Sequence, residues 1–162
     1  MFERFPAGES IFLDANVFLY HVLESRPSCA VLFRRARVRE LHAVTSPIVL
    51  SEVIHRLLLA ETVERFSLAS SKDALNLLRR HPEHVANLTV AARFTAQLSK
   101  LGVRVLPVRR QEILRAVELG QRHHLLTNDA LIVASMRTHH LTHLATNDRD
   151  FSRVPDLTIW RP

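Results

Sequence analysis

The chain is poor in residues that several common architectures require. It has one cysteine, Cys29, in 162 residues. No internal disulfide can form, and no thiolate metal motif is present. Three glycines are too few for a Gly-rich phosphate loop or a dinucleotide-binding fingerprint. Lysine is nearly missing, since only Lys72 and Lys100 stand among 22 basic residues. No apolar run approaches the roughly 18 residues that span a bilayer. The opening MFERFPAGES lacks the basic and apolar regions of a secretory signal. Repeats and low-complexity tracts are also missing. These absences lead to the expectation of a cytoplasmic protein with no membrane partner.

What is present fits a compact fold. Apolar residues make up 47% of the chain, enough for a substantial core in one domain over 1–162. The formal charge is +6, and arginine supplies most of the basic excess. Arginine forks onto phosphates or carboxylates with paired hydrogen bonds. The segment FRRARVRE carries Arg34, Arg35, Arg37 and Arg39. It suits an RNA backbone, an acidic protein partner or a plain solvated face.

Strand and helix patterns alternate along the chain. SIFLD reads as a short buried strand and NVFLYHVLES as the helix after it. A helix over 28–40 precedes a second strand, LHAVTS. Ser46-Pro47 then marks a helix start, with serine at the cap and proline in the first turn. Two helices over 70–81 and 83–100 form a hairpin, giving a helical insert at about 63–101. Leu101-Gly102 is a C-terminal cap signal. VRVLPV is a third strand, 110–124 a helix, and Thr127-Asn128 the cap of a helix to about His139. THLAT is a fourth strand, 151–155 a loop, and LTIW a last strand. This alternation predicts an α/β fold around a parallel sheet of about five short strands.

Four carboxylates sit where apolar runs end. Asp14 follows Ile11-Phe12-Leu13 at the carboxyl end of a strand, the edge where open α/β sheets bind ligands. It, or Asn16, also suits a helix cap. Glu52 shares a helix face with His55 and Arg56, which allows an ordinary surface ion pair. Asp129 shares the inward face of its helix with Ile132, Val133 and Met136, with no basic residue one turn away. Asp148 follows Leu144-Ala145-Thr146-Asn147 at the end of a strand, and Asp150 comes two residues later, a pattern that also fits a polar turn. Thr146 and Asn147 are placed to hydrogen-bond these carboxylates. An unpaired charge at a buried run's end is costly unless a cation compensates it. Oxygen ligands of this kind suit Mg²⁺ or Mn²⁺. The histidines at 123, 124, 139, 140 and 143 show no recognised zinc spacing.

FLDANVFLY, SPIVLSEVIHR, LLTNDALIVASM and LATNDRDF together resemble a PIN-domain ribonuclease, and within that family a VapC-type toxin. The resemblance implies a three-layer sandwich with a central parallel sheet. It implies an acidic metal site of Asp14, Glu52, Asp129 and Asp148, with Asp14, Asp129 and Asp148 as direct ligands. Asn16, Ser46, Thr146 and Asp150 match supporting positions. The implied activity is Mg²⁺- or Mn²⁺-dependent endoribonuclease hydrolysis, leaving a 5′-phosphate and a 3′-hydroxyl. The implied partners are RNA (tRNA, rRNA or mRNA), a small antitoxin protein and a second copy of the chain in a homodimer. The segment around 62–100 makes the chain longer than a typical toxin. That length keeps two alternatives open, a housekeeping RNA-processing nuclease and a catalytically silent binding module. A haloacid-dehalogenase-like phosphatase fits poorly, because Asn16 stands where its second aspartate belongs and no lysine follows Lys100.

Overall fold

The structure is a computed structural model that describes residues 2–162. Five strands form one parallel sheet: β1 (Ser10–Leu13), β2 (His42–Thr45), β3 (Arg104–Val105), β4 (His143–Ala145) and β5 (Thr158–Trp160). Their order is β3-β2-β1-β4-β5. β1 is central, with Phe12 opposite Val44 on one side and Leu144 on the other. Ile11, Phe12 and Leu13 are fully buried. A parallel strand covered on both faces needs such an unbroken apolar run.

Among the described residues, seven α-helices flank the sheet: α1 (Ala15–Val22), α2 (Pro27–Arg37), α3 (Pro47–Arg65), α4 (Ser71–Arg80), α5 (Val90–Gln97), α6 (Arg110–His123) and α7 (Thr127–Thr138). α1 packs on α2 and α3, α4 and α5 each pack on α3, and α6 packs along α7. Every residue from Ala130 to Met136 in α7 is buried, so the element that carries Asp129 is held inside the fold. The strand order changes direction between β1 and β4. In open α/β sheets, that switch point opens a crevice at the carboxyl ends of the strands.

The reading of one helix over 83–100 gives way to a 3-10 helix (Pro82–Asn87), then α5, then a 3-10 turn (Leu98–Leu101). A distant residue sets the start of α5. The Glu61 carboxylate on α3 accepts the Thr89 and Val90 N–H groups at 2.9 and 2.8 Å. Local pattern does not reveal a cap supplied from another helix. The third strand shrinks to two residues, although Leu106 still donates to the Thr45 carbonyl. The loop expected at 151–155 contains a 3-10 helix, Asp150–Arg153. α7 begins at Thr127 after Leu126, without a side-chain cap from that residue. The expected Thr127-Asn128 cap therefore falls one step too late.

Arg35 leaves the set of candidate RNA contacts. Its guanidinium is 8% exposed and donates to the carbonyls of Phe2 and Phe5 and to Glu40. It clamps the N-terminal turn onto α2, and of that segment's arginines Arg34, Arg37 and Arg39 stay exposed. Trp160 serves packing. Its ring meets Phe5 edge-on at 5.0 Å, and its indole N–H donates to His143 Nδ1 at 3.1 Å.

Gly102 takes the left-handed conformation (φ 72°), and a Cβ there would lie 2.7 Å from the Ala36 carbonyl oxygen. Backbone strain and a backbone clash add at this position. Gly102→Ala is expected to lower unfolding free energy by at least about 2 kcal/mol. Urea unfolding of both proteins measures the difference.

Candidate active site

Asp14 is the residue that joins β1 to α1. It caps α1, and its carboxylate accepts the Ala15 N–H at 2.6 Å through Oδ1. Oδ2 accepts from the Thr146 hydroxyl at 2.6 Å and from the Asn16 amide at 2.5 Å. A carboxylate has about four lone-pair positions. Three are used, and the one left on Oδ1 is available to a ligand. Asp14 is 7% exposed, so these bonds fix its orientation.

Thr146 follows β4 directly and is fully buried. Its hydroxyl donates to Asp14 and accepts from the Asn16 amide at 3.2 Å and the Asp148 N–H at 3.0 Å. A hydroxyl has one donor and two acceptor positions, and all three are filled. Asn16 closes the network by accepting the Asn147 N–H at 3.1 Å through Oδ1. The cap role allowed for Asn16 belongs to Asp14 instead. Asn147 bonds no carboxylate through its side chain, which donates to the Tyr20 hydroxyl at 3.0 Å. Tyr20 is a network member that the sequence pattern did not expose. Its position four residues after Asn16 on α1 was the available signal.

The other acids reach this region from separate elements. Asp129 lies in the first turn of α7 and is half-buried. Its pKa is pushed up to about 6, first by burial and then by the charges of Asp148, Asp14, Asp150 and Glu52. The Asp14 carboxyl is also raised by burial, against its hydrogen bonds from Thr146 and Ala15, with Glu52 and Asp148 adding to the rise. These mutual influences place the five acids in one electrostatic neighbourhood. Two of them carry arginines: Arg56 lies 3.0 Å from Glu52, and Arg153 lies 2.9 Å from Asp150. Glu52 therefore makes the surface pair that its spacing allowed. Asp148 is exposed, and its Oδ1 accepts the Asp150 N–H at 2.8 Å. Ser46 is buried and caps α3, accepting the Val49 N–H at 3.4 Å.

Among the described residues, no three of these acids bring their ligating oxygens within 4.8 Å of one another. Among the described residues, His81, Glu83 and His84 form the one set of three with ligating atoms all within 4.8 Å. A cleft of about 690 Å³ near α6 and α7 is lined by Arg115, Glu118, Arg122 and Arg137 rather than by these acids.

The PIN domain profile matches residues 11–157. The chain belongs to the PIN-domain family. It is 26% identical to Ribonuclease VapC2 of Methanocaldococcus jannaschii over 92% of this chain and 91% of that protein. Two solved structures share the fold. VapBC2 from Rickettsia felis, bound to a promoter DNA fragment, aligns with a TM-score of 0.58 at 17% identity, covering 94% of this chain and 98% of that one. Mycobacterium tuberculosis VapC20, a sarcin-ricin loop cleaving toxin, aligns at 0.58 and 22% identity over 94% and 99%. No helix among the described residues is long and apolar enough to cross a membrane.

Two outcomes follow from this geometry. Asp129 binds its proton more tightly in the folded than in the unfolded state, so its charge costs stability as pH rises from about 4 to about 6. Solvent screening of this half-exposed group reduces the cost to the order of 1 kcal/mol. Asp129→Asn is expected to raise the metal-free melting temperature by about 3 °C above pH 6 and to lose that advantage near pH 4. Scanning calorimetry across pH reads this, and a lowered melting temperature at pH 7 would contradict it. Thr146→Val keeps the shape but removes the hydroxyl from three partners. It should cost about 1–3 kcal/mol, while Thr146→Ser should retain most of the stability in chemical denaturation.

Proposed function

We propose that the protein is a metal-dependent endoribonuclease and the toxin of a type II toxin–antitoxin pair. The observation that carries this reading is the pair Asp14 and Asp129. Both are held where burial and neighbouring acids oppose ionisation, at the switch point of a PIN-domain sheet. Such a site gains most from a divalent cation. The donor set fits Mg²⁺ or Mn²⁺, because it is made of carboxylate oxygens.

Asp14, Asp129 and Asp148 would hold the ion, and Glu52 would bind it or its hydration shell. The ion would supply Lewis acidity and charge neutralisation for attack of water on a phosphodiester. Asn16 and Thr146 act on Asp14, fixing its carboxylate so that one lone pair stays available. Ser46 and Asp150 support the site's rim, and exposed Arg34, Arg37 and Arg39 add positive charge to a protein that must approach RNA. The VapC2 relative, itself a ribonuclease, supports the substrate class. Structural neighbours solved as toxin–antitoxin complexes, such as one from Klebsiella pneumoniae, support a small antitoxin partner. A homodimer and a cytoplasmic location belong to the same reading. A housekeeping RNA-processing role is separated from it by growth arrest on expression and by a co-encoded antitoxin that relieves the arrest.

The test incubates purified protein with tRNA and rRNA in Mg²⁺, in Mn²⁺ and in chelator. Cleavage is expected only with metal. Asp14→Asn should abolish it, by at least about a hundredfold, while circular dichroism stays unchanged. Cleavage retained by a folded Asp14→Asn protein would remove Asp14 from the site.

A further inference from the structure

The cluster His81, Glu83 and His84 lies away from the acidic pocket. α3 carries Glu52 near its start and ends beside Phe66, about 20 Å further along the helix axis. Phe66 packs against His84 with the rings tilted at 47° and their centroids 4.7 Å apart. His81 ends α4, and Pro82 opens the 3-10 helix that contains Glu83 and His84. In a 3-10 helix, side chains three apart eclipse. That geometry brings His81 and His84 to one edge, with ring centroids 5.7 Å apart. Proline fixes the backbone between them.

The three ligating atoms lie within 4.8 Å of one another, and His81 Nδ1 is already 3.2 Å from Glu83 Oε1. Two ligands on one tetrahedral zinc lie about 3.3 Å apart, given bonds near 2.0–2.1 Å. Closing the set takes a shift of up to about 1.5 Å, within reach of ordinary side-chain rotation. His81 and Glu83 are exposed and free to make it.

We propose that His81, Glu83 and His84 form a surface site for a borderline divalent transition-metal ion of the Zn²⁺, Co²⁺ or Ni²⁺ class. Two imidazoles and one carboxylate select such ions over Mg²⁺. Three protein ligands leave one position for water or an outside group. The bound ion ties the end of α4 to the following turn. That turn is already anchored to α3, because Arg65 donates to the Asn87 carbonyl and Glu61 accepts from Thr89 and Val90. The ion would therefore stiffen the helical insert. This site is independent of the nuclease reading.

Calorimetric titration of Zn²⁺ into chelator-treated protein tests the assignment. One equivalent should bind in Asp129→Asn, which removes a ligand from the acidic pocket and leaves the histidine cluster intact. His81→Gln and His84→Gln should each weaken it by at least about tenfold. Co²⁺ should give visible d–d absorption that the same variants lose. Zn²⁺ should raise the melting temperature of the wild type but not of the histidine variants. The three substituted residues, His81, His84 and Asp129, are exposed or half-buried, and far-ultraviolet circular dichroism verifies the fold of each variant. Undiminished binding in both histidine variants, loss of binding in Asp129→Asn, or no binding short of millimolar Zn²⁺ would overturn the proposal.

Discussion

The bond from the Thr146 hydroxyl to Asp14 is the constraint on which the acidic site depends. It joins the carboxyl end of β4 to that of β1, residues 132 positions apart in the chain. The same hydroxyl receives the Asp148 N–H and the Asn16 amide, so one buried oxygen sets three groups at once. Such a saturated group rigidifies its surroundings, and a half-satisfied one would be costly. The sheet makes the bond possible. Parallel pairing of Leu13 with Ala145 brings both strand ends to the same edge.

Charge balance explains why this edge is chemically unusual. The protein is basic overall, yet burial and neighbouring acids raise the pKa values of Asp14 and Asp129. Arginines reach Glu52 and Asp150 at the periphery. Asp129 has only burial and like charges as its dominant influences. A fold that spends stability this way concentrates affinity for cations at one point. The surrounding arginines meanwhile favour approach of a polyanion through long-range attraction.

Some basic and helical features serve the fold instead. Arg35 sits in a run that reads as a contact for phosphates, but it is consumed by the carbonyls of Phe2 and Phe5. Nothing in FRRARVRE distinguishes it from Arg34, because burial depends on where the N-terminal turn returns. The break between the 3-10 helix and α5 has the same origin. Glu61 supplies the cap from 28 residues away, beyond the reach of any local capping pattern. Tyr20 entered the site through Asn147, a contact made only when α1 and the β4 end meet.

Periodicity and turn chemistry were enough to determine the α/β class, the parallel sheet and the strand or helix end that carries each acid. Those features arise from local forces: apolar runs, caps and the positive φ at Gly102. The positions of Asp14 and Asp129 were legible because an acid at the end of an apolar run is conspicuous in any sequence. Strand order, the partners of Thr146 and Asn16, the burial of Arg35 and the meeting of His81, Glu83 and His84 were decided by tertiary structure. Each depends on which surfaces pack together and on the water they exclude, and local residue patterns carry little record of either.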